Sequence, residues 1–299
     1  MKNHHIVATV VFLTGVLALA ACTAAPTLTP VAGPTPVAQI SAENLIIPGK
    51  LLVCSDIPYP PQEFYDENGN PAGVDMEIGQ AIADRLGLEM QVVNSVFDTI
   101  IAAVTSQKCD IILSAMNITP DRNKQVSMIP YFKAGQSIVV AKGNPNHISE
   151  PMDLCGMGAA AESGTTEVQY LYGTEAYQGN GLTQHCEAAG KEPPKVVITQ
   201  KDTDALQQLQ TGKVAAYFTD SPVAGFYVTE NPEKFEVVGQ IIEPIVEGIA
   251  LPCNAEDCTG APLTPVGLAV ESALDHMIAE GTYQAILEKW NLSSSAINQ

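Results

Sequence analysis

From about residue 51 onward, short apolar runs alternate with amphipathic stretches of helical period. Residues 51–55 read as a buried strand. Residues 75–86 read as a helix, with Val74, Ile78, Ile82 and Leu86 on one apolar face and Gly87 at its end. A strand over 88–93, a helix over 97–107 with Phe97, Ile100, Ile101 and Val104 inward, and a strand over 110–113 follow. A second set repeats the scheme: strand 158–162, a helix over 165–172, strand 195–199, helix 202–210 and strand 214–219 ending at Asp220. Alternating strands and helices predict an α/β fold of mostly parallel sheets with covered faces.

The two sets echo each other. Val104-Thr-Ser-Gln-Lys108 precedes the strand that ends near Ser114, and Leu209-Gln-Thr-Gly-Lys213 precedes the one that ends at Asp220. Extended segments at 136–141 and 240–251 look like crossover strands between the halves. The chain then returns to the first half for helices at 266–279 and 283–290, separated by Gly281.

The N-terminal pattern is different. Lys2 is followed by an apolar run over 6–21, too short for a membrane span and ending in small residues, as a secretion signal does. It closes on Leu19-Ala20-Ala21-Cys22, which resembles the bacterial lipobox, whose cysteine receives lipid and becomes the first residue of the mature chain. No later segment is long and apolar enough to cross a bilayer. Residues 22–44 are rich in Thr, Pro and Ala, with prolines at 26, 30, 34 and 36, and predict an extended spacer after the lipid anchor. The expected division is a signal over 1–21, the spacer over 22–44, one lobe from 45–136 and 250–299, and a second lobe over 137–249 with the crossover strands.

Charge and cysteines narrow the possibilities. A net charge of −19 argues against nucleic acid as a partner, since that needs a basic surface. Apart from Cys22 there are six cysteines, 54, 109, 155, 186, 253 and 258, and an even number in an exported chain reads as disulfides. Cys253 and Cys258 are close enough to clip one loop. Cys54 and Cys109 lie in predicted strands of one half, and Cys155 and Cys186 both fall in the other, although six cysteines permit many pairings. There is no CxxC, and the histidines at 147, 185 and 276 are scattered, so no metal is expected. No cofactor is implied.

The candidate chemistry sits at strand ends. Arginine is scarce: Arg85 is expected on a solvated helix surface, whereas Arg122 follows the strand that ends in Ser114, Ala115 and Asn117. Open α/β sheets bind ligands beyond the carboxyl ends of their strands, and a guanidinium there suits a carboxylate. Asp56 and Tyr59 lie on a proline-stiffened loop after the first strand. Ser163-Gly164-Thr165-Thr166 joins a strand to a helix start and offers N–H groups and hydroxyls to an anion. Asp220 either takes a cation or caps the helix after Ser221-Pro222. A carboxylate clamp (Arg122, Thr165, Thr166), an ammonium acceptor (Asp220) and an aromatic wall (Tyr59, Phe97) together describe a site for a free α-amino acid.

Over residues 51–290 the chain resembles the bacterial extracellular solute-binding proteins of family 3, the amino-acid-binding components of ABC transporters. The ordered motifs are Tyr59-Pro-Pro, Gly73-Val-Asp75, Ile118-Thr-Pro-Asp-Arg122, Pro130-Tyr131-Phe132, Asp153-Leu154, Gly164-Thr-Thr166, Asp220 and Gly281-Thr-Tyr283 with Lys289-Trp290. The resemblance implies a two-lobed, type II periplasmic-binding-protein fold, with two mostly parallel sheets joined by two hinge strands. It implies a monomer that closes on an amino acid and docks on a membrane permease, held to the membrane by lipid on Cys22.

Residue by residue, it implies that Arg122 pairs with the ligand carboxylate and that Ser114 and Asn117 bond it from one lobe. Thr165 and Thr166 do so from the other. Asp220 takes the ammonium, and Asp56, Tyr59, Gln62, Phe97 and Glu167 face the side chain. The pair Cys155 and Cys186 resembles one found in a subset of the family. The chain departs from the family pattern at Gln62, often aromatic; at Ala115, often small and polar, which leaves one donor to the backbone; and at Ala215, often aspartate. The ligand expected is a polar or basic amino acid. The alternatives are a lipoprotein that senses ligand for a receptor and a dehydratase-like enzyme with Glu167 or Asp56 as acid/base.

Overall fold

The computed structural model describes residues 40–297 apart from 175, 176 and 178. The signal segment, Cys22 and the spacer up to residue 39 lie outside the described residues. From 40 onward the chain is already engaged: a single 3-10 turn spans Ala42–Asn44, and Leu45 is buried in the core.

Ten strands are present among the described residues. In the first half, β1 (Lys50–Ser55), the short hairpin β2 (Phe64–Tyr65) and β3 (Pro71–Ala72), β4 (Glu89–Asn94) and β5 (Ile111–Ile112) alternate with α1 (Val74–Leu86) and α2 (Ile100–Thr105). A helical turn, α3 (Pro120–Gln125), then leads into the long β6 (Ser127–Ala141). In the second half, β7 (Gly158–Glu162), β8 (Lys195–Thr199) and β9 (Ala216–Asp220) alternate with α4 (Thr166–Tyr172), α5 (Leu182–Ala188), α6 (Asp202–Gln210) and α7 (Ser221–Glu230). The chain returns along β10 (Phe235–Leu251) to α8 (Pro265–Ala279) and α9 (Thr282–Lys289).

The sheet order is β4-β1-β5-β10-β6-β9-β7-β8. β1 pairs in parallel with β4 and β5, and β7 in parallel with β8 and β9, so each half has its own parallel trio. The antiparallel pair β6 and β10 joins them. These two strands are much longer than the extended segments read from the sequence. Their register slips at Val238/Ile242, Ile242/Ile245 and Glu247/Gly248, which bends the ribbon where it passes from one half to the other.

Each parallel trio is covered on both faces, as buried parallel strands require. In the first half, α1, α8 and α9 bury Ile78, Ile82, Val270 and Leu287 against Leu51 and Val53, while Ile100 and Val104 of α2 cover the other face. In the second half, Leu171 and Leu182 lie on one face and Leu209 and Val223 on the other. The helix read over 97–107 divides into a 3-10 turn (Phe97–Thr99) and α2. Gly87 closes α1 in the left-handed region at φ 66°, where a side chain would be strained.

Arg85 departs from its expected solvated place. It is 5% exposed, ion-paired with Glu280, and donates to Thr282 Oγ1 (2.9 Å) and Ala81 O (2.9 Å). The α8–α9 turn packs over the end of α1, a contact that the helix's own periodicity does not reveal. Three disulfides are formed: Cys54–Cys109 ties β1 to the start of β5, Cys155–Cys186 anchors α5, and Cys253–Cys258 clips the loop after β10.

Candidate functional site

The carboxyl ends of β1, β5, β7 and β9 converge on one narrow cavity between the halves, with a volume of about 10 Å³. Asp56, Tyr59, Phe97, Ser114, Ala115 and Asn117 line it from the first half, and Thr165, Glu167 and Asp220 from the second. Glu63 and Glu162, not singled out in the sequence, complete the wall. Five carboxyls therefore border this cavity, and none of its lining residues is a lysine or arginine.

The first half builds a floor that is largely bonded within itself. Ser114 Oγ donates to Glu63 Oε1 (2.6 Å) and accepts from the Asp56 N–H (2.9 Å). Asp56 Oδ2 accepts from the Phe97 N–H (2.6 Å). Ala115 adopts φ 43°, which turns its N–H onto Asp75 Oδ2 (2.9 Å). The backbone donor expected there for a ligand is thus already spent. Behind this floor, Tyr131 Oη lies 2.8 Å from both Asp75 oxygens and 3.3 Å from Glu247 Oε2.

The second half is different. Asp220 ends β9 and precedes α7, yet its side chain does not cap that helix. Its Oδ2 accepts from Tyr59 Oη (2.8 Å) of the first half. Tyr59 Oη in turn accepts from the Asp220 N–H (3.1 Å), and Thr219 Oγ1 lies 3.2 Å from it. Nearby, the Asp202 carboxylate accepts from the hydroxyls of Tyr217, Thr219 (3.1 Å) and Tyr227 (3.3 Å). That network ties β9 to α6 and α7. Three buried oxygens of the second half, Glu162 Oε1, Glu167 Oε1 and Asp220 Oδ1, have no hydrogen-bond partner among the described residues.

Further contacts cross the cleft. Lys201 forms a salt bridge with Asp56. Thr166 Oγ1 donates to Asn117 Oδ1 (2.7 Å). Arg122 Nη2 donates to Gly164 O (2.9 Å), Nη1 donates to Asn117 O (2.8 Å), and the guanidinium lies 5.3 Å from the Phe97 ring centroid.

The concentration of buried acid sets the electrostatics of the site. Burial pushes the Asp220 carboxyl well above the usual carboxylate range, and the nearby Glu167 charge adds to this. Burial likewise raises Glu167 and Glu63, the latter reinforced by Asp75. Glu162 is pushed up to about 10, by burial first and then by the Asp56 and Asp202 charges. Such a cavity holds protons at neutral pH and favours positive charge.

Three expected site residues do not line the cavity in this arrangement. Gln62 is fully buried, but its backbone is tied to Tyr59 O and to the Asp75 N–H, and its side chain does not reach the cavity. Thr166 is spent on Asn117. Arg122 is buried beside the cavity on the two carbonyls, and does not line it. A signal for Glu162 was present in the sequence: it ends β7 as Asp220 ends β9. Nothing local marked Lys201, which lies 145 residues from Asp56.

The fold and the strand-end cavity define a two-lobed solute-binding architecture, and comparison with known proteins gives the family. A model of the bacterial extracellular solute-binding proteins, family 3, matches residues 51–293, and the chain belongs to that family. It is 28% identical to the arginine-binding protein ArgT of Corynebacterium glutamicum, covering 89% of this chain and 83% of that one. It is 27% identical to the L-cystine-binding protein TcyJ of Escherichia coli, covering 81% and 82%. Among solved structures, an ancestral arginine-binding protein bound to arginine superposes with a TM-score of 0.69 at 34% identity, covering 81% of this chain and 98% of that one.

Proposed function

We propose that this protein captures a free amino acid with a polar or basic side chain outside the cytoplasm and delivers it to the permease of an ABC transporter. The observation that carries the reading is the set of second-half carboxyl oxygens, on Glu162, Glu167 and Asp220, buried in the cavity without partners. An α-ammonium supplies the donors that Asp220 and Glu167 lack, in a medium where an unpaired polar group is costly. Arg122 exchanges Gly164 O for the ligand carboxylate, with Ser114, Asn117, Thr165 and Thr166 around it. Tyr59 and Phe97 form the apolar wall. The relatives named above, for arginine and for cystine, support an amino acid as the ligand class.

The ligand touches both halves, so it stabilises the closed arrangement over an open one by its differential affinity. The hinge lies in the irregular stretch of β6 and β10. The two lobes divide at about residues 137 and 250, and a monomer suffices, since both walls of the cavity come from one chain. The chain reaches the membrane through a cleaved signal and lipid on Cys22. Binding takes place without turnover.

The test is a melting-temperature screen of the full-length chain in detergent against the free amino acids and simple organic acids. A ligand at about 100 times its Kd adds about 2.7 kcal/mol of stability, enough to move the melting curve by several degrees. Shifts confined to a few related amino acids are the expected result. No shift with any amino acid, or turnover of one that does shift the curve, would overturn the reading.

A further inference from the structure

The halves also touch outside the cavity. Three rings meet there: Phe64 of the β2–β3 hairpin and Trp290 after α9, from the first half, and Phe226 of α7, from the second. The Phe64 and Phe226 centroids are 6.3 Å apart, and Phe64 meets Trp290 edge-on at 5.8 Å. None of the three lines the cavity.

The first-half rings stand on a fixed shelf. The Val74 and Asp75 N–H groups, at the start of α1, donate to Pro61 O (3.0 Å) and Gln62 O (3.0 Å), which sets the hairpin that carries Phe64. Further along α1, Glu77 Oε1 accepts from Trp290 Nε1 (3.0 Å) and Lys289 Nζ (2.7 Å). Trp290 packs on the core around Ile78 and Leu287, whereas Phe226 packs on the second-half core around Leu209 and Val223. Phe226 lies on α7, which begins directly after Asp220. A movement that carries Asp220 to the cavity therefore carries Phe226 to the shelf. A groove of about 400 Å³ runs beside the rings, lined by Pro61 and Trp290 from one half and by Pro222 and Phe226 from the other. The rings are half-buried, and what remains exposed depends on how far the halves are apart.

Resting on the reading above that an amino acid draws the halves together, we propose that Phe226 is a second closing contact, which docks on Phe64 and Trp290 and adds to the affinity of every ligand without touching any.

A ring pair of this kind shifts an equilibrium by about 2- to 10-fold. A contact made when the halves are together and broken when they part raises the closed fraction, and apparent affinity scales with that fraction. The rings do not meet the ligand, so they change all affinities by one factor and leave the choice among ligands to the cavity.

Trp290 is the sole tryptophan of the chain, so its emission reads this contact directly. The experiment combines fluorescence and titration calorimetry of the full-length chain in detergent with L-arginine, L-glutamine and L-cystine. A bound ligand should move the wild-type emission maximum to shorter wavelength. Phe226→Ala should weaken each bound ligand by about 3- to 10-fold, with the ratios between ligands held within about 2-fold. Phe64→Ala should do the same, and the double variant should lose little more than either single one, since each removes the same contact. Phe226→Leu keeps the apolar volume, serves if the alanine variant does not fold, and should lose about 2-fold. Unchanged or tighter binding in these variants, a loss confined to one ligand, additive losses in the double variant, or a wild-type emission that ligand leaves unmoved would overturn the assignment and leave the amino-acid reading standing. If all three amino acids fail to bind the wild-type protein, the amino-acid reading falls and the closing contact with it.

Discussion

The two halves share one plan, a parallel trio with helices on both faces, yet they bring opposite things to the cavity. In the first half Asp56, Ser114 and Ala115 are bonded to their own neighbours or to Lys201, and the floor stands ready before anything enters. In the second half Glu162, Glu167 and Asp220 each keep a buried oxygen with no partner among the described residues. The first half offers a largely preorganised floor, in which Glu63 Oε2 is the one cavity-lining carboxyl oxygen without a partner among the described residues, and the second half holds most of the demand for positive charge. A ligand that meets that demand draws the second half onto the first, so closure and selection share one cause.

That contrast is open to direct attack. The largest effect is expected from Asp220→Asn, which removes the acceptor of the α-ammonium. Truncating one member of a buried charge pair costs about 2–5 kcal/mol, so amino-acid affinity should fall by about 100-fold or more, as calorimetry would read. Carboxylic acids lacking the ammonium should lose far less, and an equal loss for both would remove Asp220 from its role.

Gly164→Ala strikes the seam itself. Gly164 has φ +80°, and an added Cβ would lie 2.9 Å from Asp98 Cα across the cleft. Affinity should fall by about 10-fold, roughly 1.4 kcal/mol, while the circular dichroism spectrum stays unchanged. Unaltered affinity would show that the two halves do not meet at this point when ligand is bound.

The buried acids also predict how stability responds to pH. Burial pushes Asp75 up to about 6 and Asp202 up to about 7. A carboxyl raised in the folded state favours folding while it is protonated, so its contribution is complete below the unfolded value of about 4 and is lost as pH rises through the folded value. Without added amino acid, the melting temperature should therefore drop by several degrees between about pH 5 and about pH 8. A basic ligand should flatten that fall by supplying the positive charge. A melting temperature that climbs over the same interval would mean these acids are ionised and paired in the folded protein.

The smallest effect belongs to Lys201→Gln. Lys201 is the cation that half two lends to Asp56, and removing it frees that carboxylate for the ligand. Affinity for L-arginine relative to its uncharged isostere L-citrulline should rise by about 3-fold, as calorimetry would read, a modest change for a pair with a partly exposed lysine. A narrowed preference would show that Lys201 assists the cation rather than competing with it.

Much of this was legible along the chain. The strands over 158–162, 195–199 and the helix over 202–210 have the limits that periodicity gives them. That periodicity records which side of each element is covered, and covering is a local property of spacing. The placement of Asp56, Ser114 and Asp220 at strand ends was equally legible, because parallel connections carry those ends to one edge of the sheet.

What the sequence by itself determined, then, was the alternation of elements, the two-part plan and the edge at which chemistry collects. Only the tertiary structure decided which polar groups there are already satisfied. Arg122 is bonded to the Asn117 and Gly164 carbonyls, Arg85 is buried against Glu280, and Lys201 holds Asp56 from far along the chain. Glu162 lines the cavity with Oε1 unpartnered among the described residues. Periodicity acts over a few residues and reports burial, whereas hydrogen bonding and ionisation depend on groups brought together from distant segments, and those meet only once the chain has folded.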